Sequence, residues 1–353
     1  MAVKQIPVSE FWELRRKHPV LDVRSTGEYI HAHIPGAVSL PLFTDEERKV
    51  VGTAYKQESR EQAVKIGLDY FGVKMRTMVE QVEQLMQERT DKTILVHCWR
   101  GGMRSAGVAW LLDLYGFRVL TLSGGYKAYR TMARAQFEMD YPFSVIGGYT
   151  GSGKTLVLQE LKNAGQKVID LEDLAKHKGS AFGAIAGVVA PTQEMFENLL
   201  AEELYEIKRK GNADNTIWLE DESQRIGGIN LPNAFWDTMR RAPVCFLEIP
   251  FEERLKHIVE EYGKQDKAQL RQAIIRIQKR LGPLETKTTI EYLEQDNITE
   301  SFRILLKYYD KQYNKALHKR GNADMAVERI DCEYVDGQVN SKKIIAWKKA
   351  TKQ

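Results

Sequence analysis

Three groups of residues have the types and spacing to do chemistry. The first lies in the run VHCWRGGMRS at positions 96–105, where Cys98 is followed by two glycines and by Arg100 and Arg104. A cysteine attacks as its thiolate, and cationic neighbours together with inward-turned backbone N–H groups favour that anion. Cys98 therefore reads as a reactive thiol, with Arg100 and Arg104 lowering its pKa, and less readily as an inert packing residue. The second group is GYTGSGKT at positions 148–155, which fits the spacing G-x-x-x-x-G-K-S/T. There Gly148, Gly151, Ser152 and Gly153 let the backbone wrap a phosphate, Lys154 supplies a point charge, and the Thr155 hydroxyl is placed to ligate Mg²⁺. The third group is carboxylate: Asp170, Glu172 and Asp173 in one run and Glu220, Asp221 and Glu222 in another. The second run has the character of a strand end that reaches a metal, and Asp221 is taken with Thr155 as the metal pair. Helix capping is the competing role for the remaining carboxylates.

The elements around these groups put them where such chemistry occurs. Residues 93–97 read as a short buried strand and residues 106–115 as a helix with an apolar face, so Cys98 opens a strand-to-helix loop. Unpaired N–H groups and the positive end of the helix dipole converge there. Residues 143–147 and the run TLVLQELKNAG flank the phosphate loop in the same order. Strands at 167–171 and 216–219 lead into the carboxylate runs, and 244–248 forms one more core strand that holds Cys245 as a packing residue. Strands alternating with helices imply parallel sheets covered on both faces.

Length and composition bound the possibilities. With 353 residues the chain has room for two or three domains. A formal charge of +4 permits nucleic-acid binding without arguing for it. Cys98, Cys245 and Cys332 are an odd number without metal-ligand spacing, which speaks against a disulfide framework or a zinc site. The run MAVKQIPVSEF lacks the apolar core of a signal peptide, and no stretch approaches the ~20 apolar residues of a membrane span. A cytoplasmic location is expected, with no membrane partner.

The loop around Cys98 resembles two families. Cysteine and Arg104 have the spacing of the protein tyrosine phosphatase loop, and a cysteine also heads the loop of rhodanese-like sulfurtransferases. Upstream, a helix over 9–17 precedes a strand over 20–23 that ends in Asp22, Val23 and Arg24. Glu28-Tyr29 and HIPGAVSLPL at 33–42 follow. This resembles the rhodanese pattern, departing from it at Ala32, where glycine is common. Asp22, Arg24 and Glu28 are expected to prop the fold rather than to react. Residues 43–90 form a helical insertion in which Arg48, Lys49, Tyr55, Lys56 and Arg60 read as a solvated face, with a polyanion as the other reading.

The last third reads as helical and increasingly basic. Arg276, Lys279 and Arg280 suit a lid over phosphates. Tyr308, Tyr309 and Tyr313 among Lys311, Lys315, Lys319 and Arg320 suit RNA, with tyrosines docked on the core as the alternative. Between the carboxylate runs, GSAFGAIAGVVAPTQEMFENLL is rich in Gly and Ala and allows a close ligand approach or a packing turn, with a helix resuming after Pro191.

A cysteine loop VHCWRGGMRS fused to GYTGSGKT, DLEDLAKHKGS and LEDESQRIG resembles the tRNA 2-selenouridine synthase family over nearly the whole chain. The resemblance implies a rhodanese-like parallel-sheet domain over 1–133, carrying the insertion at about 43–90. A P-loop NTPase-like α/β domain with a helical, basic C-terminal region would follow over 134–353. It also implies a partner tRNA with 2-thiouridine at the wobble position, selenophosphate and geranyl diphosphate as co-substrates, and sulfur replaced by selenium through an S-geranyl intermediate. Mg²⁺ is expected, and no requirement for ATP is inferred. A cysteine phosphatase or sulfurtransferase fused to a kinase-like domain stands as the alternative.

Overall fold

The computed structural model describes residues 3–178, 188–210, 216–318 and 327–350. The chain divides into a first unit, Met1–Phe137 with Glu194–Glu202, and a second, Glu138–Gln193 with Glu203–Gln353. Residues 179–187, within the Gly- and Ala-rich run, and Lys319 and Arg320 lie outside the described residues.

In the first unit β1 (Lys4–Ile6), β2 (Val20–Asp22), β3 (Val38–Ser39), β4 (Thr93–His97) and β5 (Arg118–Leu122) form one sheet. Its order is β1-β5-β4-β2-β3, and every pair is parallel. All five residues of β4 are buried, as a continuous apolar run bounded by turns requires. The next helix, Met103–Tyr115, starts three residues before the expected 106, so the cysteine loop is short and spans 98–102. The insertion forms the helices Asp45–Gln57, Arg60–Gly72 and Met75–Met86. Thr44 and Ser59 cap the first two through their hydroxyls. Phe71, Met78, Val82 and Met86 enter the core, while Arg48, Lys49, Lys56 and Arg60 stay exposed, which is the solvated-face arrangement.

Beneath the cysteine loop lies a buried charge pair. Arg24 donates from Nε and Nη2 to the two carboxylate oxygens of Asp22, with Nη2 to Oδ2 at 2.6 Å, and Nη2 also donates to the Ala32 carbonyl at 2.7 Å. Its guanidinium lies 3.8 Å from the Tyr126 ring centre. Both charged residues are almost fully buried, so each depends on the other for compensation. Burial raises the Asp22 carboxyl, but His97 and Arg24 together hold it below its ordinary 3.8. Since burial also drives His97 towards neutral imidazole, Arg24 is the charge that acts on Asp22 at neutral pH.

In the second unit β6 (Phe143–Gly148), β7 (Lys167–Val168), β8 (Ile217–Glu220), β11 (Val244–Glu248) and β12 (Val327–Asp331) form a parallel sheet in the order β12-β11-β6-β8-β7. The strands β9 (Arg225–Ile226) and β10 (Ile229–Asn230) pair as a small antiparallel hairpin. Strand order turns at β6, which has β8 on one side and β11 on the other, and a crevice opens beyond its carboxyl end. Two expectations change. The strand expected over 167–171 is two residues long, because Asp170 caps the helix Leu171–Ala175 by accepting from the Asp173 N–H at 2.8 Å. The helical C-terminal third also contains a strand, β12, whose mostly exposed side chains give an edge strand no apolar alternation to read. Among the described residues, no helix is long and apolar enough to cross a membrane.

Asp22→Ala is expected to cost about 3–5 kcal/mol, because it leaves the Arg24 guanidinium buried without its partner. Because the folded pKa of Asp22 lies below its unfolded value, its stabilisation is complete above the unfolded value and is lost as pH falls through the folded one. Urea midpoints between neutral and strongly acid pH will show a shallower acid decline in the variant than in the native chain.

Candidate functional sites

The cysteine site is built by backbone closure on both sides of a short loop. The Tyr126 N–H donates to the Cys98 carbonyl at 2.8 Å and the Lys127 N–H to the Trp99 carbonyl at 3.0 Å. A Cβ on Gly125, where φ is +59°, would lie 2.4 Å from both the Cys98 oxygen and the Gly101 nitrogen, so only glycine allows this approach. Cys98 is only 3% exposed. Its sulfur lies 3.2 Å from the Ser105 hydroxyl, whose single proton is given to the Gly102 carbonyl at 3.0 Å beside a thiol and turns to the sulfur beside a thiolate. Burial raises the Cys98 thiol, but the Ser105 hydroxyl, the Ser105 and Gly102 N–H groups and the Arg104 charge outweigh it and bring the pKa below its ordinary value.

The two arginines differ in role. Arg104 donates to Glu28 Oε2 at 2.8 Å, and Glu28 in turn accepts from the Ser25 N–H at 3.1 Å. Glu28 thus props the cysteine loop itself. Its carboxyl, which burial would raise, is lowered by Arg104. Arg100 is exposed, and Arg104 is the arginine whose charge stands among the main groups that lower Cys98. Ser105, the third residue of the helix Met103–Tyr115, is brought to the sulfur by the helix's first turn.

In the second unit the six phosphate-loop residues fall together at the end of β6. Gly148, Gly151 and Gly153 have φ of +151°, +80° and +70°. Ser152 is buried inside the loop, and a Cβ on Gly148 would sit 2.5 Å from its hydroxyl oxygen. Lys154 begins the helix Lys154–Asn163 and donates to the Gly148 carbonyl at 3.1 Å. Arg254, 3% exposed, holds the loop from below. It donates to the Thr150 carbonyl at 3.1 Å and makes a two-pronged pair with Asp310 at 2.9 and 2.8 Å.

The carboxylates sort by strand alternation. Glu220 and Glu222 project with Glu172 to one place, where an oxygen from each lies within 4.8 Å of the others. Thr155 Oγ1 is 3.4 Å from Glu220 and 3.5 Å from Glu172. Asp221 also lines the cavity but accepts a hydrogen bond from the Tyr313 hydroxyl and is not in the glutamate cluster, so Glu172, Glu220 and Glu222 stand beside Thr155 where Asp221 was expected. Burial first, then the crowded carboxylates, push Glu220 well above the usual carboxylate range and Glu222 to about 8. Glu220 Oε1 is buried without a hydrogen-bond partner. A hard divalent cation fits this all-oxygen set and relieves both the crowding and the orphaned oxygen.

A cavity of about 590 Å³ joins this polar floor to an apolar wall. Ile258 and Tyr262 from the helix Phe251–Tyr262, and Phe302, Leu305, Leu306 and Tyr309 from the helix Ile298–His318, line that wall. The residues expected as a lid stand outside this lining. The helix Lys267–Leu281 buries Leu270, Ala273 and Ile274 and presents Arg276, Lys279 and Arg280 to solvent, away from the cavity lining. Lys311 and Lys315 are also exposed. Tyr309 and Tyr313 face the cavity and Tyr308 packs on the core, so the docked arrangement of the tyrosines is the one found.

Comparison with known proteins covers both units. The family model described as "tRNA 2-selenouridine synthase AAA domain" matches residues 141–341, and "Rhodanese-like domain" matches 7–132. The chain is 37% identical to a tRNA 2-selenouridine synthase of Hydrogenovibrio crunogenus over 89% of this chain and 94% of that protein. It is 34% identical to one of Bdellovibrio bacteriovorus over 91% and 94%, and 33% identical to one of Sulfurovum over 86% and 92%.

Ser105→Ala removes the side-chain hydrogen bond to the sulfur. Alkylation of Cys98 by iodoacetamide at pH 7 is expected to slow by about tenfold, the loss of one hydrogen bond to a charged group. Arg100→Ala is expected to leave the rate nearly unchanged.

Proposed function

Because this chain belongs to the tRNA 2-selenouridine synthase family and is an enzyme, we propose that it replaces sulfur by selenium in the wobble 2-thiouridine of tRNA, using geranyl diphosphate and then selenophosphate. The observation that carries this reading is a cavity in which a phosphate loop faces a largely apolar wall. A diphosphate bearing a hydrocarbon tail has that same division of character.

In the first step the thiocarbonyl sulfur attacks carbon 1 of the geranyl group. The carbon–oxygen bond breaks, diphosphate leaves with the electron pair, and the base loses its N3 proton. The loop N–H groups and Lys154 hold the departing oxygens. Mg²⁺ held by Thr155, Glu172, Glu220 and Glu222 would supply further neutralisation of diphosphate charge. The apolar wall keeps water from the prenyl carbon. Exposed Arg276, Lys279, Arg280, Lys311 and Lys315 supply positive charge for the tRNA backbone.

In the second step the S-alkyl group leaves as geranylthiolate, a far better leaving group than the thiocarbonyl sulfur. Selenophosphate carries selenium that is already fully reduced, so a selenium–sulfur bond to Cys98 would need an oxidant. Attack by the Cys98 thiolate on the C2 carbon of the base needs none. It expels geranylthiolate, and selenium then attacks C2 and expels Cys98, while water takes the phosphoryl group as phosphate. Every bond made is matched by one broken without redox change.

Lys154→Ala is expected to lower geranyl transfer to 2-thiouridine tRNA by about a hundredfold or more, the scale of losing an electrostatic contact to a leaving group. Nucleoside mass spectrometry reads this directly, and undiminished transfer would sink the assignment of the loop. Cys98→Ser is expected to geranylate normally and to form no selenouridine. Native enzyme given S-geranyl tRNA without selenophosphate should accumulate a tRNA adduct on the peptide that contains Cys98.

A further inference from the structure

The helix Ile298–His318 lines the cavity from Phe302 to Tyr313. On Ile298–His318 the residues Phe302, Leu305, Leu306, Tyr309 and Tyr313 follow one another at i, i+3, i+4, i+7 and i+11 and so share a face, and all five line the cavity. Tyr313 marks the phosphate end. Its hydroxyl donates to Asp221 and accepts from the Gly148 N–H at 3.3 Å. Phe302 lies eleven residues away, about 16 Å at the rise of an α-helix. There its ring meets Tyr262 with centroids 6.3 Å apart. The helix Phe251–Tyr262 carries Ile258 against the phosphate loop, where a Cβ on Gly151 would lie 2.8 Å from it, and Tyr262 one turn farther on.

From this geometry we infer that Phe302 and Tyr262 form a chain-length stop that restricts the prenyl donor to two isoprene units. The inference rests on the reading of the cavity as a prenyl diphosphate site. With carbon–carbon bonds of ~1.5 Å, an extended geranyl chain spans roughly 10 Å and its diphosphate about 5 Å more, which matches the run from Tyr313 to Phe302. A third isoprene unit adds about 5 Å and would collide with the ring pair. A donor with one unit would stop short of Leu305 and Phe302 and lose its van der Waals contact with them. Selection of the donor is then a matter of where the wall ends, while the phosphate loop reads only the diphosphate common to all three.

The full chain, with 2-thiouridine tRNA, is assayed against dimethylallyl, geranyl and farnesyl diphosphates, with nucleoside mass spectrometry as the readout. The native enzyme is expected to prefer geranyl, and Phe302→Ala to shift the farnesyl-to-geranyl ratio of kcat/KM upward by about tenfold or more, the scale of a pocket altered by several carbons. Phe302 also packs in the core, so Leu305→Phe, which shortens the wall without emptying it, is measured in parallel and is expected to shift preference towards dimethylallyl. If geranyl transfer persists in both folded variants with donor ratios unchanged, the stop is overturned and the prenyl site stands. If the folded native enzyme transfers none of the three donors, the prenyl site fails and the stop with it.

Discussion

A parallel strand that ends at the N-terminus of a helix leaves backbone N–H groups with no partner in the chain, and each proposed reaction centre depends on that shortage. Beyond β4, N–H groups of Gly102 and Ser105 turn towards the Cys98 sulfur. Beyond β6, residues 148–153 bend through three glycines with positive φ before Lys154 starts its helix. In both cases the unsatisfied donors select for negative charge: a thiolate in the first and, in the proposed reaction, a diphosphate in the second. The arrangement costs conformational freedom, which explains the glycines, and it requires support from outside the loop. Tyr126 and Lys127 supply that support through the backbone, and Arg254 through its side chain.

Charge in the two units is handled in opposite ways. Around Cys98 every buried charge has a named partner, with Asp22 against Arg24 and Glu28 against Arg104. The result is a fixed scaffold in which only the thiol is poised to change its protonation. Around Glu220 three carboxylates are held together, and Lys154, whose charge acts on Glu220 and Glu222, is turned to the Gly148 carbonyl. Burial there raises carboxyl pKa values and makes the cluster favour an added positive charge. The first site is complete in its charges, whereas the second is built to be completed by what binds.

Sequence reading went as far as local rules reach. The strand Thr93–His97, the strand Arg118–Leu122, the phosphate loop and the strand Val244–Glu248 were legible because each is a continuous apolar run next to a turn signal. Three adjacent carboxylates, Glu220, Asp221 and Glu222, look alike in sequence, and only the fold shows that Asp221 is held by the Tyr313 hydroxyl while Glu220 and Glu222 meet Glu172. The charge of the basic helix Lys267–Leu281 is visible in the sequence, while the direction its charged face points is not. Nothing local revealed that Glu194–Glu202 returns to the first unit, where Asn198 donates to the His33 carbonyl and to the Tyr126 hydroxyl at 2.8 Å each. Contacts across 165 and 72 residues carry no signature in either segment.

The least legible feature is also the one that gives the second site its chemical character. Phosphate loops are shared by proteins that act on very different substrates, because the loop reads only the anion. What a substrate carries beyond its phosphates has to be read from the opposite wall, and that wall comes from helices more than a hundred residues later in the chain. In the helix Ile298–His318 the alternation of Tyr, Leu and Phe looks like ordinary core packing, and Phe302, Leu305 and Leu306 are indeed in the core cluster. Their second role appears only when the cavity is seen to run past them to the carboxylates. Lys178, His257, Glu261 and Gln312 also line the cavity, but the stretch from Phe302 to Tyr309 offers hydrocarbon and aromatic surface. The composition of the wall thus makes a hydrocarbon tail the matching occupant in the proposed reaction.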